Sequence, residues 1–214
     1  MTRNELNPTR RFILIFVVGQ FLLKKEKNNE RIWIEGAYNH FADVGPEQLN
    51  IKKISELTGL PRTNFYYHIP DTDILVTQLL NFHVDISKKY EEELQQKLKV
   101  FIPDLHRVLF SFESGVKFHW QLFKHRSDIR FGYIYNSINS SSADIILPVF
   151  REYYKLTVSD TALKALWKTL TDSWYSRLDF EDFSPESLAE LSDSIMQSIL
   201  RFNRETAILR QKLS

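Results

Sequence analysis

Polar and aromatic side chains that could read the edges of DNA bases are concentrated in one short stretch of the sequence. Arginine pairs well with guanine and asparagine with adenine, while threonine and aromatic side chains can contact the thymine methyl group. We therefore predict base contacts from Arg62, Thr63, Asn64 and Tyr67. Phosphate contacts are predicted from neighbours with hydroxyl, imidazole or ammonium groups: Tyr66, His68, Lys52 and Lys53.

A second group of reactive side chains does not form a recognisable catalytic pattern. The spacings of His106, Glu113, His119 and His125 match no zinc motif, and no nucleophile with an assignable base is visible. The chain has no cysteine and no Gly-rich phosphate loop, which excludes thiol chemistry and argues against nucleotide chemistry. We therefore expect no catalytic site, no metal and no cofactor.

The base-reading stretch must be positioned by the helices on either side of a tight turn. Ile51 and Ile54 recur at helical spacing, and the small Ser55 allows a second helix to approach closely. Gly59 can adopt the left-handed backbone that ends a helix, and Pro61 suits the first turn of the next one. This arrangement predicts a helix-turn-helix, the geometry with which many proteins enter the DNA major groove.

The segments that flank the turn favour this interpretation over an ordinary helical hairpin, which residues 51–70 alone leave open. Phe65 and Ile69, four residues apart, predict the buried side of the second helix. Upstream, a supporting helix is predicted over residues 29–44, and downstream a long helix is predicted from Thr72 to near Lys99.

This layout resembles the N-terminal domain of the tetracycline-repressor (TetR) family of bacterial transcription regulators over roughly residues 31 to 80. The residues that carry the resemblance are Ala37, Phe41, Gly45, Ile51, Ile54, Gly59, Phe65, Tyr66, His68, Pro70 and Leu75. The resemblance implies an all-α fold, with a three-helix helix-turn-helix DNA-binding domain at residues 29–75. It also implies a helical domain at residues 76–214 for dimerisation and ligand binding.

The sequence departs from the family's usual pattern at five positions. Ser55 and Thr58 replace alanines, Pro61 replaces a serine, Ile69 replaces a phenylalanine, and Thr72 replaces a lysine. The first four are compatible with the fold. The fifth weakens the electrostatic part of DNA binding, although we retain Thr72 in the predicted DNA-binding set and expect its hydroxyl to cap the long helix.

Apolar side chains recur at three-and-four spacing along the last two predicted helices, which begin at Ser159 and Ser184 as N-caps. Intramolecular core accounts for part of both stripes, while the family resemblance implies a four-helix interface between two copies. The residues predicted to lie at this dimer interface are Leu166, Leu170, Trp174, Leu191, Ile195, Ile199 and Phe202.

Aromatic side chains are dense between residues 112 and 135, where they could form core or line an apolar ligand cavity. The residues predicted to line an effector pocket are Phe112, Phe118, Trp120, Phe123, Phe131 and Tyr135. In the same region, residues 131–135 are the best candidate for a strand, and Ser140–Ser142 predict a loop or the start of a helix.

An apolar run at residues 12–23 lies between basic clusters near the start of the chain. It is shorter than the roughly 20 residues of a membrane span and lacks a signal-peptide cleavage site. Three origins remain open for this predicted extension, residues 1–28: a packed added segment, a start assigned upstream of the true one, or membrane contact. We expect no stable membrane association.

Taken together, the sequence predicts a cytoplasmic, homodimeric transcription regulator that binds a palindromic operator in double-stranded DNA. We expect repression that is relieved by a small apolar or aromatic effector. Residues 1–70 carry ten lysines and arginines against seven acidic residues, an asymmetry that supports DNA binding only weakly. The alternative is a dimeric DNA-binding or protein-interaction module with no small-molecule ligand.

Overall fold

The structure is a computed structural model that describes residues 29–213, apart from the side chains of residue 204 and residues 206–213. Throughout this range the regular elements are helical, which confirms the predicted all-α fold. Helix α1 occupies residues 29–44 of the described chain. The further α-helices are α2 (Ile51–Thr58), α3 (Arg62–His68), α4 (Thr72–Lys97), α5 (His106–Ser111), α6 (Glu113–Lys124), α7 (Ile129–Tyr153), α8 (Asp160–Arg177) and α9 (Pro185–Leu213).

The first compact unit ends at Leu79 and contains α1 to α3 with the start of α4. Its core includes fully buried apolar side chains that the sequence pattern predicts: Ala37, Phe41, Ile54, Phe65, Ile69 and Leu75. Trp33, which the pattern did not indicate, is fully buried with them. Gly45 follows α1 with a φ of 80°, and a short helical turn, Pro46–Gln48, leads to α2. The predicted helix-turn-helix elements are therefore present at the expected positions.

The second unit begins at Leu80 and contains the rest of α4 with α5 to α9. The predicted N-caps at the two last helices are confirmed. Ser159 Oγ accepts a hydrogen bond from the Ala162 amide at 3.3 Å, and Ser184 Oγ accepts one from the Ser187 amide at 3.1 Å. Pro185 is the first residue of α9, where its missing amide proton costs no hydrogen bond.

Helix α7 is longer than the local sequence pattern indicates. The strand candidate at residues 131–135 lies in the first turns of α7. Ser140–Ser142, predicted to form a loop or the start of a helix, lie in its middle, so that prediction is wrong. Serine is tolerated there because its hydroxyl can bond within the helix or to a neighbour. Ser142 Oγ donates to the Ile138 carbonyl at 2.9 Å, and Ser141 Oγ donates to Glu91 Oε1 at 2.5 Å.

The predicted N-terminal extension, including the apolar run at 12–23, lies outside the described residues. Among the helices that the structure describes, none combines the length and apolar character needed to cross a membrane.

Candidate functional site

The turn between α2 and α3 is held by local hydrogen bonds. Asn50 caps α2 by accepting bonds from the amides of Lys52 at 2.9 Å and Lys53 at 3.3 Å. At the other end, Gly59 has a φ of 70°, a left-handed conformation that favours glycine, and its amide donates to the Ser55 carbonyl at 3.0 Å. Ser55 Oγ then donates to the carbonyl of the residue after the glycine at 2.6 Å. The direction in which α3 leaves the turn is therefore well determined.

Close packing of α1 against α2 depends on a glycine that the sequence analysis did not single out. A Cβ atom at Gly36 would lie 2.3 Å from Cγ2 of Thr58, closer than two carbon atoms can pack. Thr58 Oγ1 donates to the Ile54 carbonyl at 2.8 Å, which fixes this stiff side chain in place. The sequence contained a signal for this contact, because an isolated glycine inside a helical pattern often marks a place where another helix packs closely.

Helix α3 has a buried side and an outward side, as predicted. Phe65 is fully buried on the inner side. On the outer side Arg62 and Thr63 are exposed, and Tyr66 and Tyr67 expose 52% and 72% of their surfaces. Their rings provide apolar contact surface and their hydroxyls can form hydrogen bonds, so this face is well suited to binding a macromolecule.

Asn64 differs from the other predicted base-reading residues because its side chain already has a partner within the protein. Its Oδ1 accepts a hydrogen bond from Nε1 of Trp33 at 3.0 Å, and Asn64 is half-buried. The Trp33 ring packs edge-on against Phe65, with centroids 5.0 Å apart. Trp33, which the sequence analysis missed, therefore fixes Asn64 and leaves its Nδ2 group to donate elsewhere.

The residues predicted to contact phosphates lie on the same two helices and at the start of α4. Lys52 and Lys53 are exposed at the first turn of α2, and His68 is half-buried with an unbonded Nε2 atom. Thr72 is exposed at the first position of α4, but it is not the cap that we expected. Asp71 accepts a hydrogen bond from the Ile74 amide at 2.8 Å and fills that role.

The second unit contains a partly open cavity of about 100 Å³, measured as the space open to the centres of water-sized molecules. A volume of this size exceeds what one water needs and approaches that of cavities that hold a single benzene-sized ring. Its walls come from α4 to α9 and are mostly apolar and aromatic. The aromatic residues lining it are Tyr90, Phe101, Phe112, Trp167, Trp174 and Tyr175.

Two buried histidines in the cavity wall contact each other. His83 Nε2 and His119 Nδ1 are 3.0 Å apart, so one donates a hydrogen bond to the other. Burial, with the charge of His119 as a smaller cause, holds the pKa of His83 well below its usual range. Burial also lowers the pKa of His119 to about 4, although Asn139 partly opposes this shift by favouring the protonated ring. Both rings are therefore neutral near pH 7.

A second pocket, of about 250 Å³ by the same measure, lies between α7 and α8. It shares Asn139, Trp167 and Thr171 with the first cavity but differs in having charged side chains in its lining: Lys164, Lys168 and Asp172. In its wall, Asp172 accepts hydrogen bonds from Tyr135 Oη at 2.8 Å and from Lys168 Nζ at 2.7 Å. We refer to these two spaces as the inner cavity and the outer pocket.

The six aromatic residues predicted to line an effector pocket occupy several environments. Phe112 lines the inner cavity and Tyr135 the outer pocket. Phe118, Phe123 and Phe131 are buried, while Trp120 is half-buried with the Lys124 ammonium 4.3 Å from its ring centre. Sequence reasoning missed the polar lining from α4, namely His83, Ser87 and Tyr90. Their spacing of three to four residues on a helix was the available signal.

The predicted dimer residues also divide into two groups. Leu170, Trp174 and Ile195 are buried within the single chain, and the first two line the inner cavity. The others remain half-buried or exposed: Leu166, Leu191, Ile199 and Phe202.

The histidines considered for catalysis do not meet in the structure as a metal site. Within the described residues, no group of three or more His, Cys, Asp or Glu side chains could hold a metal ion. His106 instead lies 2.8 Å, Nε2 to Oγ, from Ser192.

Comparison with known proteins identifies similar folds among solved structures but no relative by sequence. No protein-family model and no curated protein matches the chain. Among solved structures, a protein from Saccharomonospora viridis, provisionally assigned as a transcriptional regulator and determined with choline, is 15% identical. It covers 80% of this chain and 96% of its own, with a TM-score of 0.59.

Two further solved structures carry the family assignment in their descriptions. A protein provisionally assigned as a TetR-family transcriptional regulator from Mesorhizobium loti MAFF303099 is 15% identical, with a TM-score of 0.53. It covers 83% of this chain and 97% of its own. A TetR-family transcriptional regulator from Streptomyces coelicolor is 16% identical, covers 87% of this chain and 88% of its own, and has a TM-score of 0.53. The chain has the fold of TetR-family transcriptional regulators.

Proposed function

We propose that this protein is a sequence-specific DNA-binding transcriptional regulator of the TetR family. The observation that supports this most directly is the outward face of α3, where Arg62, Thr63, Tyr66 and Tyr67 are exposed beyond a hydrogen-bonded turn. A short helix held in this way can enter the major groove, with side chains suited to base edges and phosphates. The proposal requires no enzymatic step.

The regulator would act as a homodimer on a palindromic operator. Two recognition helices about one DNA turn apart discriminate a site far better than one. The half-buried and exposed apolar residues of α8 and α9 support a four-helix interface between two copies.

Repression relieved by a small molecule is the mode that we propose. A ligand in the inner cavity would stabilise one conformation of the second unit and thereby change the affinity of the dimer for DNA. Support comes from the largely apolar cavity and from the choline complex of the Saccharomonospora viridis protein, which shares the fold.

The proposal is tested by fluorescence anisotropy of the purified protein on labelled DNA from upstream of its own gene, with shuffled DNA as the control. We expect tighter binding to the native sequence and an affinity that falls as salt rises, since phosphate contacts release counterions. A genome-derived selection on the same protein covers operators located elsewhere. Failure of both, with weak binding even at low salt, would favour the alternative of a protein-interaction module.

A further inference from the structure

Charged side chains are absent from the lining of the inner cavity. Among the described residues that form its wall, no Asp, Glu, Lys or Arg occurs, and the two histidines are neutral near pH 7. A charged ligand placed there would lose its hydration without gaining a counter-charge, which is strongly unfavourable. The aromatic faces of the wall would offset part of this cost, but only for a cation. The wall therefore favours an uncharged ligand.

Three of the six hydroxyl groups in this wall already donate hydrogen bonds within the protein. The hydroxyl of each of three serines donates to a backbone carbonyl of its own helix: Ser87 to Val84, Ser142 to Ile138, and Ser192 to Leu188. Their oxygen atoms can still accept a hydrogen bond from a ligand, but their protons already bond backbone carbonyls and cannot be donated to it. They make the wall less polar than its composition suggests.

Two buried polar atoms of the wall make no hydrogen bond of ordinary geometry: Nε2 of His119 and Oγ1 of Thr171. His119 is only 4% exposed. Thr171 lies, with Asn139, in the wall shared with the outer pocket. Polar atoms that are buried without partners are rare in folded proteins and often mark the place of a missing ligand or water.

Apart from His83 and Asn139, the remaining side chains of the inner cavity are apolar or aromatic, and its volume of about 100 Å³ suits a ligand of about the size of a benzene ring. A hydroxyl group both donates and accepts, so it could bond Thr171 Oγ1 as donor or as acceptor.

We propose that the inner cavity binds a small uncharged alcohol, with its apolar body among the aromatic side chains and its hydroxyl bonded to Thr171. The regulatory meaning of this site depends on the proposed function. Binding itself does not, because it is measured without DNA, so the two proposals can fail separately.

A matched series of small molecules separates charge from shape. 3,3-Dimethylbutan-1-ol has the shape and hydroxyl of choline, with carbon in place of the charged nitrogen, while 2,2-dimethylbutane lacks the hydroxyl and 3,3-dimethylbutanoate is an anion. Dissociation constants for all four are measured by ligand-observed NMR on the full-length protein. We expect the alcohol to bind at least about tenfold more tightly than choline or the carboxylate, because neither ion finds a counter-charge.

Thr171→Val provides the test of position, since it replaces the hydroxyl by a methyl group and retains the β-branched shape. We expect it to weaken binding of the alcohol about fivefold, the effect of one hydrogen bond, and to leave 2,2-dimethylbutane unchanged. Thr169→Val is the control, because Thr169 is exposed on the same helix.

Three outcomes would overturn the proposal. The first is that choline or the carboxylate binds as tightly as the alcohol. The second is that Thr171→Val reduces the affinity for the alcohol and for 2,2-dimethylbutane equally. The third is that the alcohol does not bind at all.

Discussion

The hydrogen bond from Trp33 to Asn64 gives one side chain both a structural and a recognition role. Asn64→Ala removes an amide that could bond a base and also leaves Trp33 Nε1 without its partner. We expect a loss of about 1–3 kcal/mol on the preferred operator, relaxed base preference at one position, and little change on random DNA. Anisotropy titrations on operators substituted one base pair at a time would measure this.

Trp33→Phe is the matched control for Asn64→Ala, because it retains an aromatic ring beside Phe65 but cannot donate to Asn64. If Trp33 positions Asn64, the control should weaken binding at the same base pair, by a smaller amount. An equal loss on operator and random DNA in Asn64→Ala would contradict a base-reading role.

His106 should make stability depend on pH between about 4 and 6.5. Burial lowers its pKa to about 4, so the folded protein holds it neutral while the unfolded chain binds a proton. The unfolded state therefore binds more protons in this window, and the free energy of unfolding falls as the pH decreases from about 6.5 towards 4. One such histidine contributes roughly 1–3 kcal/mol over the window.

His106→Gln checks this prediction, because a glutamine amide can replace the imidazole as donor to Ser192 without titrating. Urea unfolding measured at half-unit steps from pH 7 to pH 4.5 should show a shallower pH dependence in the variant. A slope equal to that of the wild type would show that His106 does not contribute.

At the scale of helices, α1 and α2 can pack closely because Gly36 has no Cβ atom. Gly36→Ala should raise helix propensity by about 1 kcal/mol but create an overlap with Thr58 that costs roughly 1–3 kcal/mol. We expect a net loss of stability and weaker operator binding, because α2 positions the turn before α3. Thermal unfolding and anisotropy would measure the two effects.

Thr58→Ser in the same background gives a direct control. Serine retains the hydroxyl that bonds the Ile54 carbonyl but removes Cγ2, the atom that a Cβ at residue 36 would meet. The double variant should therefore recover most of the lost stability, as a positive coupling in a double-mutant cycle. Additive losses would place the strain elsewhere.

The helix-turn-helix could be predicted from sequence because its signals are local. Gly59 requires a positive φ, and Phe65 and Ile69 lie one helical turn apart, so both features are encoded within a few residues. Residues 131–135 misled the analysis because aromatic and β-branched residues also favour strands, whereas burial of Phe131 and Tyr135 on one helix face decided the structure.

At the scale of the whole molecule, the cavity could be anticipated but its lining could not. Aromatic density indicated a cavity in the second unit, yet the spacing of residues within one helix does not show which neighbouring helix faces them. His83 and Tyr90 of α4 meet His119 of α6 and Thr171 of α8 only through tertiary packing. Likewise, the apolar stripe of α8 could not reveal that Leu170 lines the inner cavity.

Dimerisation is tested most clearly at Phe202 of α9, which exposes 66% of its surface in the single chain. If α9 pairs with its copy, Phe202→Glu would bury charge and add repulsion at the interface, and we expect dimer affinity to fall at least about tenfold. Sedimentation velocity over a range of concentrations would measure the shift to monomer. Binding to a palindromic operator should weaken in parallel, while binding to a single half-site should not.

Tyr133→Glu is the control for surface charge, since Tyr133 on α7 is 71% exposed and was not assigned to the interface. It should leave the sedimentation profile unchanged. If Phe202→Glu and Tyr133→Glu behave alike, α9 is not the dimer interface at this point. If only Phe202→Glu dissociates the dimer, the apolar surface that α9 exposes in the single chain forms the dimer interface. This would explain why apolar side chains continue along α9 beyond the buried Ile195 and Met196.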